Sequence, residues 1–293
     1  MSAPVSHWAH EADDLARGLG GGMLFGIPLL YTVEVWWLGA TSKPAHMLAA
    51  VAAAYFPVAL LIRSSGFRQE KDVRLRDALR DAVEAVALGV VGAAAVLFVI
   101  GEIGPGIPLG EAVGKLAYEA VPFSIGVAVA CHIFGGSRDN DDDESDDDDR
   151  GSDVGSETRS PGQATSADLG ATIVGAVFVA FNIAPTEEIP ILAAATTMPR
   201  LLGVVALSLA ASYVIVFVAG FGDQPGRRGQ QGVFQHPATE TVASYLVALL
   251  ATLAMLVFFQ RLDSPLLSEA TLSQVLLLGL PAAVGGAAGR LAV

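Results

Sequence analysis

The sequence predicts an all-α, polytopic membrane protein of about eight transmembrane helices, arranged as two parallel four-helix repeats. Three observations carry that expectation. The chain is 53% hydrophobic and only 16% charged, with a mean hydropathy of +0.53, whereas about a quarter of the residues in soluble domains are charged. Its apolar residues fall in blocks long enough to cross a bilayer, which takes roughly 20 residues at about 1.5 Å each. Short sequence elements of the first half also recur, in order, in the second.

Eight spans follow from the apolar blocks, approximately 19–39, 45–63, 83–103, 116–135, 168–186, 200–221, 241–260 and 272–290. The residues before the first span lack the basic region and small-residue cleavage site of a signal peptide, so that span is expected to be retained. It contains Glu34 and ends on Trp36 and Trp37, an aromatic pair of the kind found at membrane interfaces. The second span runs into a loop with Arg63, Arg68, Lys71, Arg74, Arg76 and Arg80, and the third ends at Glu102. The fourth carries Glu119, Pro122, Cys131 and His132, and the fifth begins at Asp168 and reaches Asn182. The sixth starts at Arg200, the seventh follows Arg227 and Arg228, and the eighth holds Pro281 and the "GGAAG" run. Residues Ile191–Met198 are too short to span and fit an interfacial or re-entrant piece. Runs such as "GLGGG", "GVVGAAA" and "GGAAG" give small faces for close helix contact in lipid.

Arginine and lysine positions set the expected orientation. Both basic loops belong in the cytoplasm, which places 13 of the 17 basic residues inside and leaves Lys43, Lys115, Arg200 and Arg261 outside. Both termini and the linker between the halves are then cytoplasmic, and the location is the cell membrane. That linker, residues 137–166, carries eleven acidic residues against three arginines, eight of the chain's 13 net negative charges. Its "DNDDDESDDDD" core cannot bury apolar surface and is expected to be a disordered, solvated segment. Calcium binding is the sharper reading of such a run, yet it lacks the glycine and terminal glutamate spacing of a calcium hand. With only three lysines and an Ala/Gly/Val-rich body, the acidic chain suits the salt-rich cytoplasm of a halophilic archaeon.

The linker separates residues 1–136, the first four-helix repeat, from residues 167–293, the second. "TVEV" at Thr32–Val35 matches "TEEI" at Thr186–Ile189, and Gly66–Phe67 matches Gly220–Phe221, both 154 residues apart. "EAVA" at Glu84 matches "ETVA" at Glu240 at 156, "PLGEA" matches "PLLSEA", and Pro122 matches Pro281 at 159. An even number of spans in each half gives both the same orientation, hence parallel repeats about an axis along the membrane normal.

The repeat singles out Glu34 and Glu188, two carboxylates within apolar blocks. A carboxylate at a helix centre costs about 2.5–3.5 kcal/mol on insertion scales, so each is expected to face protein, a partner or water. The plainer reading makes them interfacial, with Arg200 as salt-bridge partner for Glu187 or Glu188. The functional reading sets them across the axis as a cation or proton site, because neighbouring carboxylates raise one another's proton affinity. In that reading Thr32, Thr186, Glu187 and Asn182 support the site, and Pro185 and Pro190 free backbone carbonyls as ligands. Glu102 and Glu119 are expected at the interface, the alternative being that they join the same acidic mouth as Glu34 and Glu188.

Several chemistries are set aside. No lysine lies mid-span for a retinal Schiff base, and neither H-E-x-x-H nor G-x-S-x-G occurs. "GFGD" at Gly220–Asp223 has no second aspartate inside a span to share a proton. No Walker loop or dinucleotide fingerprint is present, and Cys131 alone makes no disulfide or metal cluster. The expectation is a protein without catalytic residues, metal or cofactor, not an enzyme, whose partners are the lipid bilayer and a monovalent cation or proton. No nucleic-acid partner is expected, and homo-oligomerisation is left open.

The eight-span pattern, the duplication and the T-x-E-[VI] elements, with "APTEEIP" foremost, resemble a family of prokaryotic integral membrane proteins catalogued as domain of unknown function 2391. The resemblance covers nearly the whole chain outside the acidic linker and implies a multi-pass membrane protein with no activity or catalytic residue to carry over. A channel or secondary transporter using paired glutamates and a non-transporting scaffold or accessory subunit are therefore both expectations. The first requires a polar, water-accessible cavity between the repeats, and the second a dry seam packed with glycine and alanine.

Overall fold

The computed structural model describes residues 7–65, 75–135, 161–219, 236–262, 265 and 268–291. Most of the acidic linker, much of the basic loop after the second span, and "GFGD" with Arg227 and Arg228 lie outside the described residues. Ten helices are present among the described residues: α1 His7–Leu30, α2 Val33–Thr41, α3 Pro44–Ser65, α4 Leu75–Ile100 and α5 Leu109–Gly135, then α6 Pro161–Ile183, α7 Glu188–Ala195, α8 Met198–Tyr213, α9 Pro237–Phe258 and α10 Glu269–Leu291. A π-helical turn, Val214–Val218, extends α8. Helix α6 thus begins at Pro161, inside the stretch assigned above to the linker.

Six of these helices are each long and apolar enough to cross a membrane, and the total reaches eight when the bent pairs α1–α2 and α6–α7 count as one span each. The first span departs from expectation. Instead of one helix over 19–39, α1 stops at Leu30 and α2 leaves at 91° to it. Thr32 is extended there (φ −136°, ψ 95°), and its hydroxyl donates to the Leu29 carbonyl at 3.0 Å, closing the last turn of α1. Helix α7 leaves α6 at 88°, and the Thr186 hydroxyl donates to the Ile183 carbonyl at 2.7 Å. Thr32 and Thr186 thus do the same local work 154 residues apart. Neither α2, of nine residues, nor α7, of eight, can cross alone, since each spans about 12–14 Å.

Each half packs in the same scheme. The last helix, α5 or α10, is the hub, and the first, α1 or α6, lies most extensively against it. At both crossings backbone meets backbone with no room for a Cβ: Gly21 sits on Gly126, and Gly175 on Gly285. Close approach of this kind replaces the hydrophobic driving force that is missing between helices in lipid. The bends share one end of the bundle, because Gly39 of α2 abuts Lys115 of α5, Lys115 binds Glu102, and Arg200, just after α7, lies against Gly101. Gly101, Gly104 and Gly106 turn the chain there with φ of 92°, 147° and 94°, a region that glycine enters without steric cost.

A continuous apolar core joins the halves, with Ile27, Leu30, Val96 and Leu97 from the first in one cluster with Val204, Ile215 and Leu277 from the second. Polar bonds also cross the seam: the Tyr31 hydroxyl donates to the Leu277 carbonyl at 2.8 Å, and Arg17 Nε to the Ala219 carbonyl at 3.2 Å. Leu48, Phe56, Phe98, Phe178, Leu202 and Leu250 are exposed around the outside of the bundle, a large apolar surface of the kind that lipid covers.

Candidate functional site

The bends place the sequence-predicted residues. Glu34 lies in the first turn of α2 and Glu188 in the first turn of α7. A carboxylate at a helix N-terminus is stabilised by the unpaired N–H groups and the helix dipole, typically by about 0.3–1 kcal/mol when exposed. This gives a local reason for acidic residues at these points. Their surroundings differ. Glu34 is exposed, whereas Glu188 is only 8% exposed and its Oε2 has no hydrogen-bond partner. Helix α2 packs on α5 and α7 on α10, each within its own half, and among the described residues no ion pair or hydrogen bond joins the two glutamates.

None of the supporting residues is buried. Asn182 is exposed and donates its amide to the Phe178 carbonyl at 2.7 Å. Glu187 is exposed and pairs with Arg261 at 2.8 Å, and the same guanidinium nitrogen donates to the Thr186 carbonyl at 2.6 Å. Arg261, from the α9–α10 connection, therefore occupies the role expected of Arg200, whose guanidinium lies instead against Gly101. The Ile183 carbonyl accepts from the Thr186 hydroxyl and the Thr186 carbonyl from Arg261, so both already have a partner. Pro190 sits in the first turn of α7, where no intrahelical N–H bond is lost.

A group of charged residues at the same end was not foreseen as a unit. Lys115 belongs to α5 and is buried, bound to Glu102 Oε2 at 2.8 Å and to Glu111 Oε1 at 2.8 Å. One turn further on, Glu119 is 1% exposed and its Oε1 has no partner. It is therefore not the interfacial residue the sequence led us to expect. The i,i+4 spacing of Glu111 and Lys115 was the available signal.

The other end of the bundle holds a cavity of about 710 Å³ among α1, α3, α4 and α5, lined by Glu11, Asp14, Arg17, Asp81, Glu84 and Cys131. No group of three or more His, Cys, Asp or Glu side chains is placed to hold a metal ion among the described residues.

Apolar helices of spanning length, the lipid-type exterior and the two bends decide the general class, and sequence comparison agrees. The family described as "Putative integral membrane protein (DUF2391)" matches residues 14–293. The chain belongs to this family. No curated protein matches it, and no solved structure does.

Proposed function

We propose that this protein moves a proton or a monovalent cation across the cell membrane, using carboxylates held at its two helix breaks. The observation that carries the reading is Glu188, a nearly buried carboxylate with an unsatisfied oxygen at the break between α6 and α7. An acceptor oxygen in that state is open to a cationic ligand that reaches it. In this proposal the two halves are parallel repeats. The matched threonine-closed bends and glycine crossings support it. The end bearing the bends faces outward and both termini lie in the cytoplasm, as the distribution of basic residues favours. No chemical reaction is assigned to the protein.

The exposure of Glu34 makes the two glutamates unequal partners. In proteoliposomes at high salt, Glu188→Gln is expected to abolish most proton or cation flux and Glu34→Gln to reduce it less than twofold. Absence of flux from folded wild-type protein overturns the reading. A second reading, a non-transporting scaffold or accessory subunit, is favoured by one observation: among the described residues a continuous apolar core joins the halves, as a dry seam requires.

A further inference from the structure

We propose that Glu119 is a proton-binding site, a carboxyl that sits as the neutral acid beneath α2 and is the group through which this end of the protein takes up and releases protons. The inference deepens the transport reading by naming the proton, and it rests on that reading only for what the proton is used for.

The argument starts from the ammonium next to it. A lysine has three N–H donors, and those of Lys115 are matched by three acceptors: Glu102 Oε2 at 2.8 Å, Glu111 Oε1 at 2.8 Å and the Glu102 carbonyl at 3.3 Å. The single positive charge is thus already shared by two carboxylates. Glu119, four residues further along the same helix face, receives none of it. Its Oε1 is without a partner in a fully buried position. The buried indole N–H of Trp36 donates to the carboxyl and shares that donor with the Leu30 carbonyl, which it also meets at 2.9 Å. Ala120 and Phe123, the next buried residues along α5, are apolar.

Other charged or titratable groups on the elements around α5 at this end form no ion pair with Glu119 among the described residues, including Arg200 of α8, whose guanidinium lies against Gly101. Glu102, on the α4–α5 connection, is close enough to repel. Glu34 on α2 and Lys43 and His46 at the start of α3 are exposed. Tyr31, at the end of α1, donates its hydroxyl to the Leu277 carbonyl.

An ionised Glu119 would be an uncompensated buried charge beside a cluster that is already net negative. The neutral acid leaves at most an unmade hydrogen bond, a much smaller cost. A metal cation would need several oxygen ligands converging on one point, and the surrounding groups do not supply them. A proton needs only one.

Infrared spectroscopy of the full-length protein in lipid nanodiscs tests this directly. At neutral pH the wild type is expected to show a protonated-carboxyl C=O band that shifts in D2O, is lost in Glu119→Gln and survives in Glu188→Gln. Trp36→Phe keeps the carboxyl and is expected to move the band's frequency, which provides a second readout if Glu119→Gln folds poorly. Folded wild-type protein without the band overturns the proposal. So does a band that persists in Glu119→Gln, or one that Trp36→Phe leaves unmoved. Flux separates the two readings: a band present with no flux removes transport alone, and flux with no band removes the Glu119 site alone.

Discussion

At the end of the bundle away from the bends, positions that the proposed repeat would pair are filled in opposite ways. In the second half Arg290, 2% exposed in the last turn of α10, pairs with Glu240, donates to the Ser244 hydroxyl at 3.3 Å and lies 5.5 Å from the Phe217 ring centroid. At the spacings that align the halves, Cys131 stands at the position of Arg290, Glu84 at that of Glu240 and Leu88 at that of Ser244. Cys131 and Glu84 line the acidic cavity. In the second half the Arg290 guanidinium fills the position, whereas in the first Arg17 turns to Asp14 and the Ala219 carbonyl and a cavity stays open. A similar backbone plan tolerates both, with glycine crossings that reach Gly18 beside Cys131 and Gly289 beside Arg290.

The largest expected effect comes from breaking the closed side. Arg290→Ala leaves Glu240 without its partner and is expected to cost about 3–5 kcal/mol of stability, read as a lower midpoint of unfolding in mixed micelles. Arg290→Lys is expected to recover only part of this, since a point charge cannot reproduce the forked contact to Glu240 and Ser244.

The crossings test what the halves share. Gly21→Ala and Gly175→Ala each put a Cβ against the facing backbone, and each is expected to cost about 1–3 kcal/mol in the same assay. Equal losses sharpen the comparison, and a loss confined to one half breaks it.

The smallest effect probes the open side. Cys131 is exposed at the cavity, so a cationic thiol reagent is expected to label it several-fold faster than an anionic one of equal size. Molar salt should shrink that ratio, because about 1 M salt screens charges beyond roughly 3 Å. Equal rates at low salt would mean that Arg17, which also lines the cavity, cancels Glu11, Asp14, Asp81 and Glu84 at the thiol.

The helical class, most of the spans and the short piece near Ile191 were legible because apolar length is written in composition. The bend after Leu30 was not. Apolar residues run on through Tyr31, Val33 and Val35, and hydropathy records solvent preference without direction. Pro185 and Pro190 flagged the second bend, and Pro28, in the similar place two residues before α1 ends, was the signal available for the first, where Thr32 with its extended backbone makes the turn. Glu188 was found through its match with Glu34, but their unequal burial depends on what packs over α2 and α7. Glu119 was misjudged for a related reason: α5 starts at Leu109, earlier than apolarity suggests, so a residue that seemed terminal is inside a packed helix.

The right-angle bends also have an electrical consequence. Peptide dipoles in α2 and α7 lie close to the membrane plane when α1 and α6 cross it, so a voltage across the bilayer does almost no work on them. Moving a charge through the full potential is worth about 2.3 kcal/mol per 100 mV. Voltage therefore acts on a charge that binds at either bend and on the path leading to it, and not on the orientation of the short helices that carry Glu34 and Glu188.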